Sequence, residues 1–232
     1  MEKQIKFYSK MTINLFSQFR DSSFRMFPLA VFGYLLFVTN ILGNNEIWQQ
    51  KKIENGNTVI KWKIGKTSDG QRRLMIFSIK MDTDIDMKKI TSALKKSQSH
   101  RIIQNDSVVN ELNSGPGNDK LLYSVTDFPW PLDNFETALR MKVLNDIENK
   151  IFIMNLKADS EIQLNFTDKL IRNNEFSAVY EIKSNKNGAT TITLNANCMP
   201  PIEMPAWILN KTYYQIPLGR INRLLELAEK EK

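Results

Sequence analysis

The sequence has a single cysteine and a single histidine, and this scarcity excludes several kinds of functional site. Cys198 has no partner for an intramolecular disulfide and cannot form the cysteine clusters that hold structural zinc. His100 alone cannot supply a two-histidine metal site, and no serine motif for nucleophilic attack surrounds it. We therefore expect no metal, no cofactor and no catalytic residue, with His100 at the surface and Cys198 as a small buried residue.

Long runs of one charge are also missing. The formal net charge is +7, yet no five consecutive residues are basic. A surface that follows a phosphate backbone needs clustered Lys and Arg side chains. The sequence therefore predicts no nucleic acid partner, and its 42% hydrophobic and 10% aromatic content is typical of a packed globular protein.

One uncharged apolar run lies near the N-terminus, at residues 26–43 (MFPLAVFGYLLFVTNILG). Arg20 and Arg25 precede it in the sequence. A membrane span needs ~20 apolar residues, and the core of a signal peptide needs ~7 to 15. The run falls between these lengths. It fits a cleaved signal peptide, an uncleaved membrane anchor or a buried helix of a soluble domain.

The basic residues before this run favour a cytoplasmic N-terminus and export of everything that follows. We predict a signal peptide or membrane anchor over residues 1–43 and one folded domain over 44–232. The expected location is the periplasm or cell envelope, with a membrane surface as a partner.

The folded domain shows the periodicity of a mainly antiparallel sheet with a few helices. Connectors rich in Gly, Asn and Asp favour hairpins, so the sheet is expected to meander. An i, i+3, i+4, i+7 apolar stripe predicts a closing helix over 205–229, kinked or divided at Pro217. Strands are predicted at 58–66, 72–81, 107–112, 120–128, 137–144, 150–156, 175–183 and 189–196, with helices at 46–52 and 84–96.

The acidic run Asp82–Asp86 is similar to the opening of a calcium loop. Met87 occupies the position that needs Gly, and Ala93 stands where the loop needs a bidentate Glu. The run is therefore interpreted as the N-terminal cap of the 84–96 helix.

Two motifs carry a resemblance to a known family. Residues 127–133 (DFPWPLD) form a rigid connector between strands, because prolines cannot donate to a sheet. This connector resembles the Pro-Trp-Pro-Leu segment of START-related lipid-binding domains, and residues 204–210 (MPAWILN) resemble the start of their last helix. The resemblance implies an α+β helix-grip fold, in which a curved antiparallel sheet wraps around a long C-terminal helix, here preceded by an N-terminal hydrophobic helix.

The resemblance implies a hydrophobic ligand between the sheet and the last helix. Trp130 and Trp207 could line the mouth of the pocket or pack the connector and helix against the sheet. Arg140 falls where the family often has a strand arginine, and it could orient a ligand headgroup inside or face solvent. The candidate ligand-binding residues are Tyr123, Trp130, Arg140, Trp207 and Tyr213.

Three functions are compatible with these features. The leading hypothesis is non-enzymatic binding or transport of a lipid or similar hydrophobic molecule. The first alternative is an enzyme on the same fold, a cyclase or hydrolase, which inward Asp, Glu, Tyr or Arg side chains would favour. The second is an envelope interaction module whose core is filled by its own side chains.

Overall fold

The computed structural model of the chain describes residues 48–53, 57–114, 119–127, 134–162, 170–185, 188–200, 209–210 and 214–231. These residues belong to one compact unit, Glu46–Lys232. The predicted N-terminal segment 1–43 lies outside them, so its assignment stays a prediction. No helix in the described part of the chain is long and apolar enough to cross a membrane.

Ten strands in the described part of the chain form one large curved sheet. Its order is β1-β2-β3-β10-β9-β7-β6-β5-β4, and these neighbours pair antiparallel, while β8 adds a short parallel pair with β6. The strands are β1 (Gln49–Lys52), β2 (Thr58–Lys66), β3 (Arg73–Thr83), β4 (Val108–Ser114), β5 (Lys120–Thr126), β6 (Phe135–Asp146), β7 (Ile151–Ala158), β8 (Ile171–Arg172), β9 (Ser177–Ser184) and β10 (Thr190–Cys198).

Alternation of side chains explains why these segments pair as they do. In β10 every second residue from Thr190 to Cys198 is buried, and the residues between them are polar and at least partly exposed. Because side chains alternate between the faces of a strand, a shift by one residue would expose the whole apolar set. The registry of β10 with β3 and β9 is fixed in this way.

Three helices have both ends within the described residues: α1 (Met87–Lys95), α2 (Ser97–Gln104) and α3 (Gln215–Glu229). The carboxylate of Asp86 accepts a hydrogen bond of 2.6 Å from the Lys88 amide, which confirms the predicted cap. The short helix α2 ends at Asn105, whose φ of 65° lies in the left-handed region that Asn tolerates.

The C-terminal helix predicted over 205–229 is divided, and the break falls at Tyr214, a little before Pro217. Leu209 and Asn210 are helical, Tyr214 lies in a turn, and α3 starts at Gln215. Pro217 therefore occupies the first turn of α3, where a backbone N–H has no acceptor within the helix. The proline marks the start of α3 and does not kink it.

The main core lies between the inner face of the sheet and the three helices. The predicted apolar stripe of α3 is confirmed, because Ile221, Leu224 and Ala228 are buried in this core and Leu225 packs against it. The helix contacts α1, α2 and β3. From the sheet, β2, β3, β5, β6, β7, β9 and β10 all contribute buried apolar side chains.

Two predictions about local structure are wrong. The helix predicted at 46–52 is replaced in its described part by strand β1, which pairs with β2 and so extends the sheet edge. His100 is not at the surface: it lies on α2, is 1% exposed, and its Nε2 lies 2.9 Å from the Leu94 carbonyl oxygen. His100 follows the predicted 84–96 helix in the sequence, and the second helix, α2, was not predicted. This helix turns the His100 side chain toward the interior.

Candidate functional site

Small side chains line one part of the inner face. Ala178 on β9 and Ala196 on β10 are direct cross-strand partners, and Ala196 also pairs with Phe77 on β3. Cys198 lies two residues further along β10 on the same face. Small residues at adjacent positions extend less far from the sheet than the Leu, Ile and Phe side chains around them, so a long side chain from a covering helix can pack onto this patch.

Arg220 of α3 lies against this patch. The side chain is on the buried face of the helix and is 7% exposed. Its guanidinium carbon lies 5.6 Å from the ring centre of Phe77 and 5.4 Å from that of Phe176. These cation–π contacts hold the charge over the sheet. Among the described residues, its buried Nη1 atom has no hydrogen-bond partner.

Tyr180 and Gln104 place further polar atoms in the same interior. Tyr180 on β9 is fully buried, and the Gln104 amide nitrogen donates a long hydrogen bond of 3.5 Å to its hydroxyl oxygen. Burial raises the pKa of Tyr180, and the nearby positive charge of Arg220 partly offsets this effect. The Gln104 Oε1 atom is buried without a partner in the described structure.

Asp106 contributes a buried carboxyl group to the same interior. Its Oδ1 accepts a hydrogen bond of 2.5 Å from the Thr126 hydroxyl, which links the end of α2 to β5. Burial raises the pKa of Asp106 to about 7, although Thr126, Arg220, Ser124 and Arg223 all act to lower it. We call Gln104, Asp106, Tyr180 and Arg220 the interior polar cluster.

Trp62 of β2, the direct cross-strand partner of Phe77, adds one more polar atom to the inner face. The indole Nε1 of Trp62 is buried, and no described group accepts from it. Its ring lies 5.7 Å from the ring of Tyr214, at the start of α3. The Tyr214 hydroxyl accepts a hydrogen bond of 3.0 Å from Lys51 of β1. These contacts join the start of α3 to the edge of the sheet.

Two of the sequence-predicted site residues lie on the outer face of the sheet. Tyr123 is half-buried and donates a hydrogen bond of 3.0 Å to the buried carboxylate of Glu136. Burial and then this carboxylate raise the pKa of Tyr123 to about 12. Arg140 is exposed and forms a 2.6 Å ion pair with Asp159, so the solvent-facing alternative is correct and its inward placement is wrong.

The other three candidates cannot be placed against this geometry. Trp130, Trp207 and Tyr213 lie outside the described residues, and their roles stay predictions. Within the described ranges, no group of three or more His, Cys, Asp or Glu residues could hold a metal ion.

The interior polar cluster was missed at the sequence level, although one signal for it exists. Arg220 lies four residues before Leu224 and three after Pro217, and so interrupts the buried stripe of α3 with a charge. Tyr180 and Gln104 carry no such signal, because their inward orientation depends on strand phase and on the unpredicted helix α2.

Chemically, the arrangement combines apolar walls with a few polar atoms that lack partners. Apolar walls favour a hydrophobic molecule, and the unpaired donors favour an oriented polar group on it. The carboxyl of Asp106 adds a group that can gain or lose a proton near neutral pH.

Comparison with known proteins supports the architecture. No protein-family model and no curated protein matches the sequence. Among solved structures, human StAR-related lipid transfer protein 5 aligns with a TM-score of 0.64 at 7% identity, covering 99% of each chain. A STAR-related lipid transfer protein fragment from Xanthomonas axonopodis aligns at 0.61 and 13% identity, covering 79% of this chain and 99% of that one. Human STARD10 aligns at 0.62 and 14% identity, covering 79% and 73%.

These likenesses extend over most of the chain at low identity, and they concern the backbone arrangement. A large curved antiparallel sheet closed by a helix near the C-terminus is the arrangement that residues 127–133 and 204–210 led us to expect. The chain has the START-like helix-grip fold.

Proposed function

We propose that this protein is a non-enzymatic binder or carrier of a hydrophobic molecule, which it holds between the inner face of the sheet and α3. Two of the structural neighbours are named as lipid transfer proteins, the Xanthomonas axonopodis fragment and the human protein 5, which supports this assignment. The affinity would come from burial of apolar ligand surface, at roughly 25 cal/mol per Å² before entropic losses.

The observation that carries the proposal is a set of buried polar atoms without partners on the inner face of the sheet and on the helices that cover it. In the described structure these are Trp62 Nε1, His100 Nδ1, Gln104 Oε1 and Arg220 Nη1. Each unpaired buried group costs about 1 to 3 kcal/mol, and a charged one costs more. In a core filled only by its own side chains, four such atoms would be destabilising. A ligand or its accompanying water can form hydrogen bonds with them.

The proposal is tested with the full chain purified from the cells that produce it. Native mass spectrometry and solvent extraction should reveal a co-purifying hydrophobic molecule. The informative variant is Ala196→Phe, which fills the small-residue patch, and its matched control is Asn195→Phe, which adds the same ring to the exposed face of the same strand.

Ala196→Phe should lose the molecule, whereas Asn195→Phe should keep it. Both variants retain residues 26–43, so lipid held only by that apolar run would remain in both. If the wild-type chain carries nothing, or if both variants carry what the wild type carries, the proposed binding site is wrong. A thermal melt of each variant identifies any loss of fold.

A second candidate function, an enzyme on the same fold, is supported by one specific observation. Asp106, Tyr180 and Arg220 are inward polar side chains, and the pKa of Asp106 lies near 7. A carboxyl group with such a pKa suits general acid–base chemistry. The test compares the molecule extracted from the wild type with that from Asp106→Asn. Identical molecules support a carrier, and a chemically altered one supports the enzyme.

We further propose that the domain acts outside the cytoplasm, in the periplasm or cell envelope at a membrane surface. Support comes from the apolar run 26–43 and the basic residues before it. Fractionation of cells and the intact mass of the isolated chain test this. A full-length chain in the cytoplasmic fraction would contradict the proposal.

A further inference from the structure

We infer that the bound molecule carries an acidic group of the carboxylate type and that Arg220 binds this group, so that the protein prefers acidic ligands over neutral ones with the same apolar body. This inference rests on the proposed binding function and specifies its ligand class. It assigns headgroup recognition to the C-terminal helix and not to Arg140 of the sheet.

Arg220 is buried, and its Nη1 atom lacks a hydrogen-bonded anion among the described residues, although the Asp106 carboxyl lies near enough to interact with its charge. A guanidinium is charged at all physiological pH values, so burial cannot neutralise it. Its Nη1 atom is nonetheless buried without an acceptor in the described residues. Removal of a charge from water costs several kcal/mol unless an opposite charge and hydrogen bonds compensate. An anionic ligand group would supply both.

Two neighbouring rings fix the orientation of the guanidinium. The rings of Phe77 and Phe176 lie at similar distances from the guanidinium, 5.6 and 5.4 Å, and hold it against the sheet. A guanidinium held in this way presents its N–H groups in a fixed plane. Planar donors match the two oxygens of a carboxylate, which is the most specific pairing that Arg forms.

The same interior holds a second polar side chain, Gln104, which is linked to Arg220 through Tyr180. Gln104 contacts the Tyr180 hydroxyl, and Tyr180 in turn experiences the charge of Arg220. A half-turn of the Gln104 amide would let Oε1 accept from the tyrosine hydroxyl and would present Nε2 as a donor. Gln104 would then be a second donor within the interior polar cluster.

The local charge is set by Asp106 and two arginines. Arg220 and Arg223 both act electrostatically on Asp106, so two positive groups surround one carboxyl. Burial raises the pKa of that carboxyl to about 7, which leaves its negative charge incomplete at neutral pH. Arg223 already donates hydrogen bonds of 2.9 and 3.2 Å to the Ile103 carbonyl oxygen. The interior therefore has an excess of positive charge at Arg220.

The test compares two probes that differ in one group: the fluorescent fatty acid cis-parinaric acid and its methyl ester. Titration of the full chain should show at least about tenfold tighter binding of the acid, as expected for a hydrogen-bonded charge pair. Arg220→Met keeps an unbranched apolar stem between the two phenylalanine rings but removes the charge. It should bind the acid and the ester with affinities equal to within about threefold.

Arg223→Gln is the matched control, because it removes a neighbouring positive charge from the same helix. It should retain the preference for the acid. A thermal melt distinguishes ligand binding from a structural role: a structural Arg220 would make Arg220→Met less stable, whereas an uncompensated charge predicts an unchanged or higher melting temperature without ligand.

The outcomes separate this inference from the proposed function. If the wild type and Arg220→Met prefer the acid equally, or if the wild type shows no preference, the inference is wrong and hydrophobic binding stands. If the wild type binds neither probe and no co-purifying molecule is found, both are wrong. Loss of the preference in Arg220→Met alone, with the fold retained, supports the inference.

Discussion

His100 and Asp106 should make opposite contributions to the pH dependence of the free energy of unfolding. When either residue is replaced, the contribution of the other should become measurable. Burial lowers the pKa of His100 from 6.5 to about 4, although the Leu94 carbonyl opposes this change. Burial raises the pKa of Asp106 from 3.8 to about 7. Both groups are therefore neutral in the folded chain near pH 5.5, and both are charged in the unfolded chain.

The sign for each group follows from proton counting. Between about pH 4 and 6.5 the unfolded chain binds a proton at His100 that the folded chain lacks, so acid destabilises the fold. Between about pH 3.8 and 7 the folded chain binds a proton at Asp106 that the unfolded chain lacks, so acid stabilises it. The two slopes, each about 1.4 kcal/mol per pH unit, cancel in their common range.

Two variants separate the slopes. His100→Gln, whose amide can replace the Nε2 contact to Leu94, should gain about 2 kcal/mol of stability relative to the wild type between pH 6.5 and 4.5. Asp106→Asn should lose a similar amount over this range. Urea denaturation at pH 4.5, 5.5 and 6.5 measures both. Variant and wild-type curves that run parallel would refute the burial of these groups as neutral species.

Three further predictions concern packing, a surface ion pair and the single thiol. Leu224→Ala, at a fully buried position of α3, should lower the free energy of unfolding by about 2 to 5 kcal/mol in the same assay. Arg140→Ala should cost less than about 1 kcal/mol and leave the binding of both parinaric probes unchanged, because its ion pair with Asp159 is at the surface. The Cys198 thiol is buried, and burial raises its pKa, so its reaction with a thiol reagent should be limited by the rate at which the protein unfolds around it. A reaction as fast as that of an exposed thiol would contradict its burial.

The sheet could be predicted largely from the sequence. Alternating apolar residues and Gly or Asn turns act locally, and the strands β2, β3, β9 and β10 were predicted to within a few residues. The pairing of β3 with β10 could not be predicted in this way. The two strands are more than 100 residues apart, and many other strands have similarly apolar faces.

The errors also have physical causes. Residues 46–52 have a local pattern compatible with a helix, and pairing with β2 overrides it. The helix α2, with polar Ser97, Gln98 and Ser99 in its first turn, has weak intrinsic propensity and depends on packing against α3 and β4. Because α2 was missed, the inward orientation of His100 and Gln104 was missed with it.

The candidate site was predicted less well than the fold, because the buried polar groups of this chain are not the residues that the resemblance indicated. The resemblance directed attention to a strand arginine, and Arg140 lies on the exposed face. The arginine that is buried is Arg220 on α3. The buried face of this helix was predicted from its apolar residues alone, so the arginine among them was overlooked. A charge at a position with core periodicity is the signal that would have indicated it.

The most direct test of a ligand between the sheet and α3 is photo-crosslinking. A fatty acid with a photoactivatable group near its carboxylate is bound to the full chain, irradiated, and the labelled peptides are identified by mass spectrometry. The proposed site predicts labels within Gln215–Glu229 and near Phe77, Phe176 and Cys198, because Arg220 lies on this helix and interacts with these three residues. Labels confined to the N-terminal run 26–43, or to residues of the outer face such as Arg140, would contradict an interior ligand.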